Sequence, residues 1–305
     1  MTSTALATAG LTKRYGDRTA VDGLDLELPT GVVAGFVGPN GAGKTTTMAM
    51  LLGLVRPTSG TATVLGRPID RPAAYLPDVG ALIESPAFYP ALTGAQNLRV
   101  LATVGGHDAD RIPALLELVG LAGRGDDRYR GYSLGMKQRL GIAAAMLGDP
   151  KLLILDEPSN GLDPQGMREM RELIVRLSRA DRTVLVSSHV LSELEQVCDW
   201  LVLIDTGRTL FQGPARDFLA GSDGLTIAPE RADDLPRLAD LLAGGGHHVA
   251  RHDGHLVATV DGDPARTAAA VNRAAHDAGI VLVELHAERS TLEERYLTMV
   301  QGGAR

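Results

Sequence analysis

Gly38-Pro39-Asn40-Gly41-Ala42-Gly43-Lys44-Thr45 satisfies Gly-x-x-x-x-Gly-Lys-Thr without a gap. The chemistry that needs this spacing is a grip on a polyphosphate. Successive backbone N–H groups must converge on phosphate oxygens, and glycines let the main chain come close enough. A helix that opens at the lysine turns the positive end of its dipole toward the same anion. Lys44 is then placed to reach the β- and γ-phosphates and the Thr45 hydroxyl to bind Mg²⁺. Further on, Leu152-Leu153-Ile154-Leu155 is an apolar run ending in Asp156-Glu157. An acid at the end of such a strand is where a carboxylate holds Mg²⁺ through water. A ligand-free glycine turn and a surface acid pair are the plain alternatives, and each is weakened by the presence of the other feature.

The elements around these residues supply the context the loop requires. Residues 31–37 form an apolar strand leading into it, and residues 45–54 a helix leaving it, ended near Gly53 and Pro57. Residues 5–13 and 18–28 read as strands about a Gly16-Asp17 turn, and residues 61–65 and 79–83 as further strands. The stretch from about residue 86 to 150 is different. Helical segments at 96–104 and 112–119, parted by Gly105-Gly106 and by Gly123 and Gly125, make it a mostly helical insertion. Residues 152–155 and 183–187 are apolar runs of parallel-strand type. Between them Met170, Leu173, Ile174 and Leu177 recur at helical spacing, and residues 200–205 form another strand.

The texture changes within residues 217–224, which divides the chain into a first domain at 1–222 and a second at 223–305. In the second, a strand at 225–229 precedes a helical stripe of Leu235, Leu238, Leu241 and Leu242. A hairpin turns at Gly254, Asp263-Pro264 starts a helix, residues 280–285 form a strand, and Ser290-x-x-Glu293 is a capping box for a last helix to residue 300. That order predicts a small ferredoxin-like module. His247, His248, His252 and His255 cluster at the hairpin; a solvated turn is expected there rather than a zinc site, because no cysteine or repeated His-x-x-His accompanies them.

The totals narrow the function. A length of 305 residues allows two domains, and a net charge of −7 argues against a nucleic-acid partner. Cys198 is the only cysteine, so no disulfide forms within the chain, and it reads as a small buried apolar residue in a reducing compartment. No apolar run approaches the about 18–20 residues that cross a bilayer, and the first ten residues lack a signal-peptide pattern. Work at a membrane is therefore expected from the cytoplasmic side, through a partner.

Between the phosphate loop and the Asp-Glu strand lies Tyr132-Ser133-Leu134-Gly135-Met136-Lys137-Gln138. Ser133 is placed to cap the following helix. Taken together, residues 1–220 resemble the ATP-binding cassette (ABC) family. That resemblance implies an α/β fold of the P-loop NTPase type: a RecA-like core with an antiparallel β subdomain and a helical subdomain, followed here by the α+β module. It implies an ATPase that drives a separate polytopic membrane permease from the inner face of the membrane. ATP lies between two chains paired head to tail, as a homodimer or with a homologous ATPase. In this sequence the resemblance makes Glu157 the general base and His189, in Ser187-Ser188-His189-Val190, the γ-phosphate contact. Asp163, in Ser159-Asn160-Gly161-Leu162-Asp163, touches the opposite chain, and Ser133 with Gly135 reaches the γ-phosphate held by it. Tyr15 stacks on adenine, and Thr46 joins the phosphate loop. Two positions depart from the pattern: Leu134 replaces the first glycine of the signature turn, so that either it points away from the phosphate or the site closes differently, and Glu84 replaces a glutamine that contacts Mg²⁺, a role in which its carboxylate can serve as a metal ligand. The stretch Ile83-Glu84-Ser85-Pro86-Ala87-Phe88-Tyr89-Pro90 and the signature phrase resemble the bacterial antibiotic-export and self-resistance branch, including bacitracin- and lantibiotic-type transporters, and Leu292-Glu293-Glu294-Arg295-Tyr296-Leu297 is similar to the closing helix of such exporters. This implies export of a drug, antibiotic peptide or lipid. The alternative is a soluble ATPase of the same family with a regulatory or nucleotide-sensing role.

Overall fold

Gly16-Asp17 turns the first hairpin, between β1 (Thr4–Tyr15) and β2 (Arg18–Pro29). In β2 the buried Leu24, Leu26 and Leu28 alternate with the outward Asp25 and Glu27, the period of a sheet with one wet face. The computed structural model describes residues 3–84, 86–178, 182–219, 224–260 and 263–288, with residues 292, 293, 295, 296 and 299 of the closing segment. The chain forms two compact units, residues 1–215 and 216–305.

In the first unit, β3 (Val33–Val37) runs directly into the phosphate loop and α1 (Lys44–Leu51) leaves it. Strands β4 (Ser59–Val64) and β5 (Arg67–Pro68) complete an antiparallel sheet of order β2-β1-β4-β5. The second sheet adds β6 (Val79–Leu82), β7 (Leu152–Leu155), β8 (Thr183–Ser188), β9 (Trp200–Asp205) and β10 (Arg208–Pro214), in the order β10-β9-β3-β8-β7-β6. All its pairings are parallel except β9 with β10. Every residue of β3, β7 and β8 is buried, as expected of central parallel strands. Met48, Met50 and Leu51 of α1 share one apolar cluster with Leu6 and Leu24 of the first sheet and with Phe36, Ile154 and Leu185 of the second. The register pairs Val37 with Ser188 and Leu155 with Val186, so β3, β7 and β8 finish side by side. Crevices beyond the carboxyl ends of parallel strands are where such sheets bind ligands.

The helical insertion holds α2 (Gly94–Gly105), α3 (Ile112–Leu118) and α4 (Leu134–Ala145). Thr93 and Gln96 form a full capping box at the start of α2. Tyr129 and Tyr132 are buried beside one another, and desolvation pushes both phenols above their ordinary pKa. The Tyr132 hydroxyl donates to the Arg124 carbonyl (2.7 Å) and that of Tyr129 to the Pro86 carbonyl (2.9 Å). The segment after β6 is thereby tied to the turn that opens α4. Helix α5 (Pro164–Ser178) buries the predicted stripe Met170, Leu173, Ile174 and Leu177, and the short α6 (Leu191–Leu194) follows β8.

The second unit begins within α7 (Ala215–Leu219) and continues as β11 (Gly224–Pro229), α8 (Leu235–Gly244), β12 (Val249–His252), β13 (His255–Thr259), α9 (Pro264–Asp277) and β14 (Leu282–Glu288). Its antiparallel sheet has the order β12-β13-β11-β14, the split βαβ connectivity of a ferredoxin-like module. Leu238 and Leu242 of α8, Val271 and Ala275 of α9, and Leu225 and Ile227 of β11 make its core. Asp263 caps α9 by accepting from the Ala265 N–H (3.0 Å). His252 and His255 stack across the Gly254 turn. Ser290 lies outside the described residues, while Leu292, Glu293, Arg295, Tyr296 and Met299 are helical.

Several bounds differ from the sequence reading. Helix α1 stops at Leu51, three residues before the predicted end, because the Leu54 and Val55 N–H groups both return to the Ala49 carbonyl and Gly53 turns left-handed. Strand β10, unpredicted, alternates polar and half-buried residues on a sheet edge and carries no apolar run. Helix α7 reaches into the stretch expected to hold the domain boundary. The last strand is shifted to Leu282–Glu288.

Arg182 joins the end of α5 to the segment that enters β7. Its Nε donates to the Pro150 carbonyl (2.6 Å), Nη1 to the Leu177 carbonyl (3.1 Å) and Nη2 to Asp149 Oδ1 (2.9 Å). Burial lowers its pKa, and Asp149 opposes that shift. Arg182→Met takes this donor from the Pro150 and Leu177 carbonyls, while Asp149 keeps Arg111 Nη2 at 3.3 Å; the change is expected to lower the unfolding free energy by about 1–3 kcal/mol, read as a lower urea midpoint at unchanged m-value.

Candidate functional site

The phosphate loop follows from packing that only glycine permits. A Cβ at Gly43, where φ is +99°, would stand 2.5 Å from the Ala20 carbonyl, and one at Gly38 would collide with the Ile204 carbonyl. The loop is thus pressed against β2 and β9, with Ala42 buried and its carbonyl taking the Gly207 N–H (3.0 Å). Lys44 is 6% exposed, and its ammonium donates to the carbonyls of Gly38 (2.6 Å) and Pro39 (3.3 Å). Its third contact is Glu157 Oε1 at 3.3 Å.

Beyond the ends of β7 and β8 the acidic pair is held by a short network. Asp156 is 5% exposed; its Oδ2 accepts from Thr45 Oγ1 (2.7 Å) and its Oδ1 from Ser187 Oγ (2.6 Å). The same Ser187 oxygen accepts the Glu157 N–H (2.8 Å). Glu157, two residues past the end of β7, adopts a left-handed backbone, φ +48°, which is uncommon for a residue with a side chain. Its Oε2 meets His189 Nδ1 at 2.7 Å. Asn40, Gly41, Gly43, Lys44, Thr45, Thr46, Glu157 and His189 line one cleft of about 330 Å³, together with Arg18, Ala20 and Asn160. A ring of backbone donors, an ammonium, a hydroxyl and two carboxylates at a strand end can bind a polyphosphate and direct a water at it.

Ser133 and Gly135 are elsewhere. Ser133 is the N-cap of α4, its Oγ accepting the Met136 N–H (3.3 Å). It lines a second cleft, of about 430 Å³, with Leu134, Gly135, Asp163 and Glu169. Asp163 Oδ1 accepts the Gly166 N–H (2.9 Å) at the start of α5, so this residue also caps a helix. Leu134 is 45% exposed and its Cδ2 lies 3.1 Å from where a Cβ on Gly161 would stand, which aims it at the Ser159–Asp163 loop of its own chain. Arg139 supports the turn through the Gly135 carbonyl (3.3 Å) and Glu169 (3.1 Å).

Gly38, Pro39, Ala42 and Asp156 do not line the first cleft themselves but belong to the loop and to the Thr45–Ser187 network; Tyr15 and Glu84 lie outside both. Tyr15 is 49% exposed, with the Lys13 ammonium 4.9 Å over its ring. Glu84 is exposed at a left-handed backbone position, φ +59°, and does not line the cleft. Ser187 and Arg18 belong to the site without having been singled out. A polar residue closing the apolar run of β8 was a usable signal for Ser187; an arginine after a turn carries none.

Residues 21–160 match the family model described as ABC transporter. The bacitracin transport ATP-binding protein BcrA of Bacillus licheniformis is 46% identical over 215 residues, 70% of each chain. The Nod factor export ATP-binding protein I of Cupriavidus metallidurans is 40% identical over 236 residues, 75% of this chain and 78% of that one. Among solved structures, cbiO1 from Clostridium perfringens, part of the ABC transporter complex cbiONQ, is similar with a TM-score of 0.64 at 26% identity, over 70% of this chain and 90% of that one. With the phosphate loop, the Asp156-Glu157 strand end and the Ser133 cap now on one fold, the chain belongs to the ABC transporter family, as an ATP-binding and ATP-hydrolysing subunit.

Ser187 gives a direct test of the network. Ser187→Ala leaves a buried oxygen of Asp156 and the Glu157 N–H without partners. ATP turnover is expected to fall about tenfold or more, with ATP affinity changed far less, in steady-state and equilibrium-binding measurements.

Proposed function

We propose that two such chains, identical or homologous, close head to tail over two ATP molecules and drive a separate polytopic membrane permease. The observation that carries this reading is the division of the chain's own residues: Lys44, Glu157 and His189 line one cleft, and Ser133, Gly135 and Asp163 another. Each chain then completes its neighbour's site.

In this scheme the backbone N–H groups of the Gly38–Thr45 loop, with Thr46, hold the phosphates, Lys44 binds the β- and γ-phosphates, and Tyr15 stacks on adenine. Thr45 and Asp156 would hold Mg²⁺: a hydroxyl and a buried carboxylate 2.7 Å apart are hard oxygen donors suited to that ion. Bound there, Mg²⁺ would neutralise phosphate charge. Glu84 would add a further oxygen donor for that ion. Glu157 takes the proton of the attacking water, and His189, already 2.7 Å from Glu157, orients that carboxylate and contacts the γ-phosphate. Ser133 and the start of α4 from the second chain face the same phosphate, while Asp163 contacts the opposite chain.

The work falls to residues 1–222, with residues 223–305 as an accessory domain. Among the described residues no helix is long and apolar enough to cross a membrane; in this scheme the chain sits peripherally at the inner face of the cell membrane, on its permease. The names of the bacitracin and Nod factor relatives support an exporter of a drug, antibiotic peptide or lipid. In Glu157→Gln, ATP binding is expected to persist while hydrolysis drops about a hundredfold or more. With ATP the variant is expected to elute as a dimer and, from a detergent extract of its own host, to bring down a polytopic membrane protein. A chain that remains monomeric at saturating ATP, with that partner present, contradicts the scheme.

A further inference from the structure

We propose that Arg18 is a phosphate-binding residue of the nucleotide cleft and supplies, beside Lys44, its second cationic side chain for the triphosphate of ATP. The inference rests on the cleft around Lys44 being the ATP site. Arg18 opens β2 directly after the Gly16-Asp17 turn, opposite Tyr15 in the register of the hairpin. Its side chain runs to the phosphate loop, where Nη2 lies 3.8 Å from the position of a Cβ on Gly41. Gly41, at φ +85°, has no side chain to block that route.

Charge makes the placement consequential. The Lys44 ammonium is matched within the cleft by Glu157 at 3.3 Å. Arg18, by contrast, makes no side-chain hydrogen bond or ion pair among the described residues, although it lines the same cleft. A planar guanidinium presents paired N–H groups that match two phosphate oxygens, which an ammonium cannot do. It shares the cleft with Lys44 and Glu157, so its targets are the β- and γ-phosphates. The hairpin thereby serves both ends of the nucleotide: Tyr15 for the base, Arg18 for the phosphates three residues later.

The test is equilibrium binding of ATP, ADP and AMP to the full chain and to its Arg18→Ala and Arg18→Lys variants. A partly exposed charge-assisted contact predicts about tenfold weaker ATP binding for Arg18→Ala. The loss is expected to be smaller for ADP and below about twofold for AMP, with Arg18→Lys recovering part of it. The melting temperature without nucleotide should be unchanged, since the side chain is exposed. ATP affinity within twofold of wild type in Arg18→Ala overturns the inference, as does an equal loss for all three nucleotides, which would put the residue on the base, the ribose or the α-phosphate rather than on the β- and γ-phosphates. A wild-type chain that bound no ATP would overturn the reading of the cleft itself, an outcome distinct from either.

Discussion

A single cassette unit keeps its phosphate grip and its capped signature turn in different clefts. Lys44, at the start of α1 behind the loop that β3 leads into, and Glu157, two residues past β7, are placed by strands in parallel register. Ser133 is fixed by the start of α4, which the buried pair Tyr129 and Tyr132 ties to the chain after β6. Neither group can travel to the other without breaking the core that places it. This constraint is what makes one copy of the chain half of an active centre under the pairing we propose.

The cleft that we propose as the hydrolytic site holds a strained residue. A non-glycine residue in the left-handed region costs on the order of 1 kcal/mol or more. Glu157 sits there because its N–H is taken by Ser187, and because Lys44 and His189 hold its two carboxylate oxygens. Ser187 also holds Asp156, so one hydroxyl sets the geometry of both acids. Leu134, aimed at Gly161, places the signature turn of a chain against its own Ser159–Asp163 loop.

Much of this was legible in the residues. The phosphate loop, the Asp-Glu strand end, the Ser133 and Asp263 caps and the stripe on α5 depend on local rules of spacing and capping, and the structure has each in its expected element. The βαββαβ order of the second unit was readable for the same reason. Strand β10 was not, because a sheet edge needs no apolar run. Arg18 and the double role of Ser187 depend on which strands lie side by side, and that is a property of the sheet rather than of any segment. The exposure of Tyr15 and Glu84 also lay beyond the pattern: their residue types name a chemistry, but a half-exposed hairpin and a left-handed bend decide where the side chains stand.

The pairing of clefts between chains is best tested by cross-linking in a Glu157→Gln, Cys198→Ser background, which removes the only native thiol. Chains carrying Asn40→Cys in the phosphate loop are mixed with chains carrying Leu134→Cys in the signature turn, and the mixture is oxidised with and without ATP. The account predicts a covalent dimer that forms in the mixture and depends on ATP. A mixture that gives no such dimer at saturating ATP, or the same yield without nucleotide, would contradict it.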